Sequence, residues 1–218
     1  SGRGKGVQKI VSFGFPFFMD IQSLQLELQE DLKKQTISSS VLLGNFRLLS
    51  DKPRLTGAYQ DPLYFPLYYH LGKRVDAKSL IEWNFNLGLY SGCFLKGNNT
   101  VENMFVFHEN TEKFYSSRMG VSNIKNNYHK KFDICEGTIE EVQEGLSKDS
   151  WDIAIVNGEV SSEEQIARLD ILWEHIKLDG LIVVDYIGSN CGFDDFCHIK
   201  NRVPIIFNTR YGIGIIQK

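Results

Sequence analysis

No apolar run in this chain is long enough to cross a bilayer, and no leader-like segment of basic, apolar and small residues opens it. A soluble protein of the reducing cytoplasm is therefore expected. An excess of one charge is missing too: 24 Lys and Arg stand against 27 Asp and Glu, a net charge of −3. Without a basic field, sequence-independent binding to nucleic acid phosphates is not expected. The one basic run, Lys125 to Lys131, reads as a solvated loop face. Cysteines are few. Cys93 and Cys135 sit in apolar runs, where a reduced thiol behaves as a small hydrophobe. Cys191, Cys197 and His198 lack the paired spacing of structural zinc sites, so no metal is assigned to them. No nucleophile elbow, phosphate-binding lysine loop or zinc-protease helix occurs, and the five histidines share no spacing that would make a catalytic dyad. A G-x-G-x-x-G turn is also lacking, which argues against a nicotinamide-dependent oxidoreductase.

What is present can build a core: 42% of the residues are hydrophobic and 12% aromatic. A length of 218 residues suits one domain with an extension. The division expected is an N-terminal extension over 1–66, serving as a lid or dimer arm, and an α/β domain over 67–218. In the extension, Asp20 caps a predicted helix to about Lys34, with Ile21, Leu24, Leu28 and Leu32 on one stripe. Ser38 to Ser40 break the pattern before a short strand or helix around Val41–Leu49. Asp51 to Pro66 read as an ordered loop, and Leu67 to Lys73 as a short helix. Tyr59, Tyr64, Phe65, Tyr68 and Tyr69 are expected to pack as core or lid, the alternative being a cover over a ligand pocket.

From Lys78 the rhythm changes to short apolar runs separated by helical patterns, which predicts a mostly parallel sheet with crossover helices. The runs are Ser79–Trp83, Met104–His108, Phe132–Cys135, Asp152–Val156 and Leu181–Val184. Between the last two, Ser161 and Glu164 suggest a capping box for a helix striped by Ile166, Leu169, Trp173 and Ile176 and stopped at Gly180. Val203–Phe207 and Ile213–Ile216 predict a closing antiparallel hairpin at the sheet edge. In such open sheets a ligand sits just past the carboxyl ends of the strands.

Glu82-Trp83-Asn84-Phe85-Asn86-Leu87-Gly88 joins the first strand to a helix, and its amides would face a ligand at the helix N-terminus. With Gly180–Asp185 and Arg210–Gly214, this segment resembles the class I S-adenosylmethionine-dependent methyltransferases. The nearest branches are the catechol O-methyltransferase-like and sugar O-methyltransferase-like ones, and the resemblance spans about Lys78 to Lys218. It implies a doubly wound, seven-stranded Rossmann-like sheet. The first two loop glycines of the family are replaced by Asn84 and Asn86, and only Gly88 remains. Asparagine tolerates left-handed backbone angles, so the turn can still form.

Carried onto this chain, the resemblance implies S-adenosylmethionine as cofactor. Glu82, Asn84, Asn86 and Gly88 would line its methionine side, Glu109 and Asn110 its ribose, and Glu136 and Gly137 its adenine. Asn157, Glu159 and Asp185 would face the acceptor, and Asp185 could serve as a general base for its hydroxyl or only cap the following turn. In the metal-dependent branch an acidic residue after the fourth strand and Asp-Asn or Asp-Asp after the fifth bind magnesium. Here Asn157 and Tyr186 depart from that pattern, so no metal ligand is assigned, although Glu159 could substitute if its loop bends inward. The function expected is O-methylation of a small-molecule or sugar hydroxyl. The alternative is a catalytically silent domain of this fold serving as an interaction module. The chain opens on Ser1-Gly2 rather than Met, so a larger multidomain parent, or a homodimer, is also kept in view.

Overall fold

In the computed structural model, residues 20–34, 37–47, 60–85, 87–107, 114–128, 133–134, 143, 146 and 148–218 are described. Ser79–Trp83 (β1) is buried along its whole length, as a strand covered on both faces must be. β2 (Asn103–Phe107) and β3 (Asp133–Ile134) follow it on one side, and β4 (Trp151–Val156) and β5 (Ile176–Asp185) on the other. β6 (Ile205–Phe207) and β7 (Ile213–Gln217) close the sheet in the order β3-β2-β1-β4-β5-β7-β6. The first five strands pair in parallel and β7 is antiparallel to both neighbours. This is the expected doubly wound sheet with its terminal hairpin. The winding reverses between the parallel strands β1 and β4, where the connections that follow them lead to opposite faces and a crevice opens above the sheet.

Side chains alternate across the sheet and separate two cores. Leu80, Ile153, Ile155, Leu181 and Val183 face one layer, and Ile81, Ala154, Val156, Ile182 and Val184 face the other. The first layer is built from α1 (Ile21–Lys33), α2 (Ser39–Leu43), α3 (Tyr64–Arg74) and α4 (Leu89–Gly97). α5 (Phe114–Asn127) flanks it, with Ile124 buried there. The second layer rests on α6 (Ser162–His175) and α7 (Gly192–Ile199). α1 is capped by Asp20, whose carboxylate accepts from the amides of Gln22 and Ser23, and its buried Leu24 and Leu28 anchor it. Arg74 of α3 clamps it from outside, reaching Asp31 through two nitrogens at 2.7 and 2.6 Å and Glu27 at 2.7 Å.

Several elements depart from the expectations above. The first helix does end before Ser38, but the short helix that follows starts earlier than Val41: the Ser38 hydroxyl accepts from the Val41 amide and caps α2, which includes Ser39 and Ser40. α3 begins at Tyr64, three residues before the expected Leu67. Pro66 lies in its first turn, where the missing N–H would have had no helical partner. Lys125 belongs to α5 rather than to a loop. α6 stops at His175, and Ile176 already pairs with Trp151 in β5. Gly180 is no helix stop. Residues 177–180 bulge opposite Asp152, with Asp179 at φ 66° and the Gly180 backbone too close to the Asp152 carbonyl for any side chain. α7 has no counterpart among the expected elements, and it places Cys197 in the second core while Cys191 stays exposed at its start.

Candidate active-site rim

Trp83 lies beside Val156, and Val156 beside Val184. The residues one step further, Asn84, Asn157 and Asp185, therefore form a row across three strands roughly 4.8 Å apart. Strand alternation turns Glu82, Asn157 and Asp185 toward the α3–α4 layer.

Glu82 is fully buried. Its carboxyl accepts from the Ser91 hydroxyl and amide at the start of α4 and, at 2.6 Å, from Asn157 Nδ2. Burial pushes it up to about 8, more than these bonds offset. The strand end, the helix start and the β4 end are thus tied through one carboxyl. Asn157 Oδ1 is buried beside it with no hydrogen-bond partner among the described residues. The altered loop closes as expected of asparagine: Asn84 takes φ 60°, its amide donates to the Phe107 carbonyl, and its Nδ2 donates to the Asn157 carbonyl at 2.9 Å. Gly88 sits at φ 68° as the residue before α4, with its amide on the Phe85 carbonyl. A side chain at Gly88 would stand 2.8 Å from the Phe85 ring.

Asp185 is 1% exposed and lies in a cage of tyrosines. Tyr64 at the start of α3 donates its hydroxyl to Oδ2, and the Tyr186 amide donates to Oδ1 at 2.8 Å. Tyr90 extends the cage, its hydroxyl 3.5 Å from that of Tyr64. Burial pushes the carboxyl up to about 7, again against these bonds. Tyr64, Tyr68 and Tyr90 are themselves raised well above their ordinary value by burial, so they stay protonated donors. No single segment of sequence signals this cage. The expectation for Tyr64 is lid or core packing, and the residue is both packed and bonded to the strand end.

Past the ends of β4 and β5 opens a cleft of about 380 Å³, bounded by Glu159, Tyr186, Arg210 and Tyr211 with the 208–209 turn. Tyr186 and Tyr211 stack with centroids 4.6 Å apart and planes 20° apart. Tyr186 takes φ 61°, an uncommon angle for a bulky side chain, which costs about 1–3 kcal/mol unless neighbours hold it. The stacking, and Ser189 donating through its hydroxyl and amide to the Tyr186 carbonyl, do so. Of the residues expected at the acceptor, Glu159 borders this cleft, whereas Asn157 and Asp185 are buried behind it. Asn86, Glu109, Asn110, Glu136 and Gly137 lie outside the described residues.

A divalent cation does not fit these groups. Both Asp185 oxygens accept from protein donors, the amide nitrogen of Asn157 is turned to Glu82, and Tyr186 stands where a second ligand would follow Asp185. Among the described residues no group of three or more His, Cys, Asp or Glu could hold a metal.

No known protein family and no curated protein matches the sequence. Solved structures do match. The O-methyltransferase TomG from Streptomyces achromogenes, in complex with SAM, superposes with a TM-score of 0.60 at 11% identity over 91% of this chain and 98% of that one. The SAH-bound methyltransferase PaMTH1 from Podospora anserina gives 0.59 at 11% identity, covering 82% and 92%. An O-methyltransferase from Bacillus cereus in complex with SAH gives 0.54 at 11% identity, covering 90% and 91%. This is the class I methyltransferase fold. At such identities the likeness is one of architecture, and it covers nearly the full length of those chains. The methyltransferase fold accounts for the strand order, the antiparallel β7 and the location of the rim. Function rests on the chemistry of the rim itself, because one fold hosts many activities.

Proposed function

We propose that this chain is an S-adenosylmethionine-dependent methyltransferase acting on a hydroxyl of a small molecule. The observation that carries the reading is the row at the switch point: Asn84, Asn157 and Asp185 side by side, above a buried Glu82 that fastens α4 to the strand ends. The groups present suit the cofactor. Asn157 Oδ1 is a buried acceptor with no partner among the described residues, and an added side chain at Gly158 would begin 3.2 Å from the Asn84 amide nitrogen. Glu82, Asn84, Asn86 and Gly88 would hold the methionine end, Glu109 and Asn110 the ribose, and Glu136 and Gly137 the adenine.

The cofactor, when bound, supplies a methyl group already activated on a sulfonium. This chain then has to orient the acceptor, exclude water and take up a proton. Asp185 suits the last task. A carboxyl balanced near neutrality can hold a proton, and Tyr64 and Tyr90 connect it to the rim through hydroxyls. The walls formed by α3 and α4 keep this pair dry.

One observation favours a second reading, a silent domain of this fold. The Asn84 side chain spans from β1 to the Asn157 carbonyl, across the crevice that a cofactor would enter. Thermal denaturation with S-adenosylhomocysteine separates the two. At 100 times its dissociation constant the ligand should stabilise the protein by about 2.7 kcal/mol, or about 5–11 °C at this chain length. Asn84→Gly removes the side chain that spans the crevice and suits φ 60°, so it should tighten binding about tenfold or more, at a cost of about 1 kcal/mol in unliganded stability for the lost bond to the Asn157 carbonyl. If neither protein melts higher at millimolar ligand, the silent domain is the better account.

A further inference from the structure

Asn123 lies one turn before the end of α5 and is 2% exposed. Asparagine is a poor residue for a helix interior, because its side chain competes for backbone hydrogen bonds. Here that capacity is turned outward. Asn123 Oδ1 accepts from the Arg47 amide at 2.9 Å, and Nδ2 donates to the Arg47 carbonyl at 3.2 Å and to the Leu87 carbonyl at 3.0 Å. One side chain thus binds the backbone of two segments, 76 and 36 positions away in sequence. The orientation of its amide is fixed, since exchanging O and N would set an oxygen against both carbonyls.

The two segments matter for what they carry. Leu87 precedes Gly88, which takes φ 68° and opens α4. The loop after β1 is therefore fastened at one end by Asn84 on the Asn157 carbonyl, at 2.9 Å, and at the other by Asn123 on Leu87. Gly88 is the only glycine left in this loop, so its path depends on such fastenings. Ile124, next to Asn123, backs the same turn: a side chain at Gly88 would begin 3.2 Å from its Cγ1. Arg47 belongs to the extension, just beyond α2. Phe46 beside it covers Gly92, where an added side chain would begin 2.3 Å from its ring, and meets Tyr128 edge-on at 6.4 Å. Tyr128 in turn donates its hydroxyl to the Gly92 carbonyl at 2.7 Å. Extension, α4 and α5 interlock here, and Asn123 is the polar joint. We infer that Asn123 is a positioning residue for the cofactor, acting through Leu87: it sets the backbone on which the methionine end would rest and locks the extension to that backbone at Arg47. The role toward the cofactor rests on the methyltransferase reading, whereas the fixing of the loop does not.

The test compares Asn123→Ala with Asn98→Ala in the full chain. Asn98, at the far end of α4, also holds backbone through its side chain, donating to the Val75 carbonyl at 2.8 Å and accepting from the Thr100 and Val101 amides at 2.9 Å. It therefore controls for lost stability away from the loop. S-adenosylhomocysteine is titrated by calorimetry, and amide exchange over residues 84–92 is followed without ligand. Asn123→Ala should weaken the ligand about tenfold or more and speed that exchange about tenfold or more, while Asn98→Ala leaves affinity within about twofold of wild type. Asn123→Asp is nearly isosteric and keeps an acceptor for the Arg47 amide, but when ionised it has no donor for Leu87. It should match Asn123→Ala and takes its place if that variant fails to fold. Affinity within about twofold of wild type in the Asn123 variants, or an equal loss in Asn98→Ala, overturns the inference. If wild type binds no S-adenosylhomocysteine, the methyltransferase reading falls and exchange decides alone. Faster exchange over 84–92 in the Asn123 variants but not in Asn98→Ala keeps Asn123 as the residue that fixes the loop, and any other pattern overturns it.

Discussion

Replacing Gly72 with alanine should lower the melting temperature by about 6–12 °C, the equivalent of about 3 kcal/mol. A methyl group there would sit 2.2 Å from the Phe94 carbonyl oxygen, and one at Gly97 would sit 2.0 Å from that of Tyr69. These contacts are to backbone, so no side chain can swing away, and α3 and α4 would have to separate. Ordinarily a glycine-to-alanine change inside a helix gains about 1 kcal/mol from propensity. Here the clash outweighs that gain and sets the sign. The two helices run side by side in the same direction, with Tyr64 and Tyr90 meeting at their N-terminal ends at 6.1 Å and the glycines meeting near their C-terminal ends. Prising the glycine end apart should loosen the tyrosine cage around Asp185 as well. A melting curve of Gly72→Ala within about 2 °C of wild type would show that the helices do not pack as described.

The second large effect is a loss of stability with rising pH. Glu82 and Asp185 are held at about 8 and about 7 in the folded protein by burial, well above the ordinary carboxylate range. The folded state therefore binds more protons than the unfolded chain between pH about 4 and those values. Within that window each group removes up to about 1.4 kcal/mol of stability per pH unit, and the loss levels off above its raised value. The groups facing them are tyrosines, Ser91 and Asn157, and among the described residues no cation compensates when they ionise. His70 opposes the trend, because burial lowers its value and stability is gained there as pH rises. Comparison with Glu82→Gln isolates the carboxyl. Wild type should lose stability relative to Glu82→Gln between pH about 5 and about 8, by several kcal/mol at most. A difference that stays flat across that range would mean Glu82 is ionised throughout.

Strand positions are legible in the sequence because a parallel strand buried on both faces needs an unbroken apolar run, and Leu80–Ile81 and Leu181–Val184 supply one. α1 and α6 are legible through Asp20 and Ser161, whose side chains cap as expected. Local turn chemistry is where the sequence misleads. Gly180 reads as a helix stop in either setting, and only the pairing of Ile176 with Trp151 distinguishes a bulge. α7 is too short for its stripe of Phe193, Phe196 and Cys197 to stand out. The rim residues can be found by their places at strand ends, yet their partners cannot. Asn84 reaches a residue 73 positions away and Tyr64 one 121 away, and contacts of that kind follow from register and helix packing rather than from neighbours in the chain.

The direction of the last strand has a practical consequence. β7 pairs Ile213 with Asp185 and Gln217 with Leu181, so it departs from the rim and ends about 14 Å down the sheet. Lys218 is fixed there by its amide on the Gly180 carbonyl and its amine on Asp149 and the Ile176 carbonyl. A peptide tether grafted after Lys218 would leave the mouth of the cleft clear for surface-immobilised binding assays, whereas amine-directed coupling at that lysine would cut two of the bonds that hold the strand.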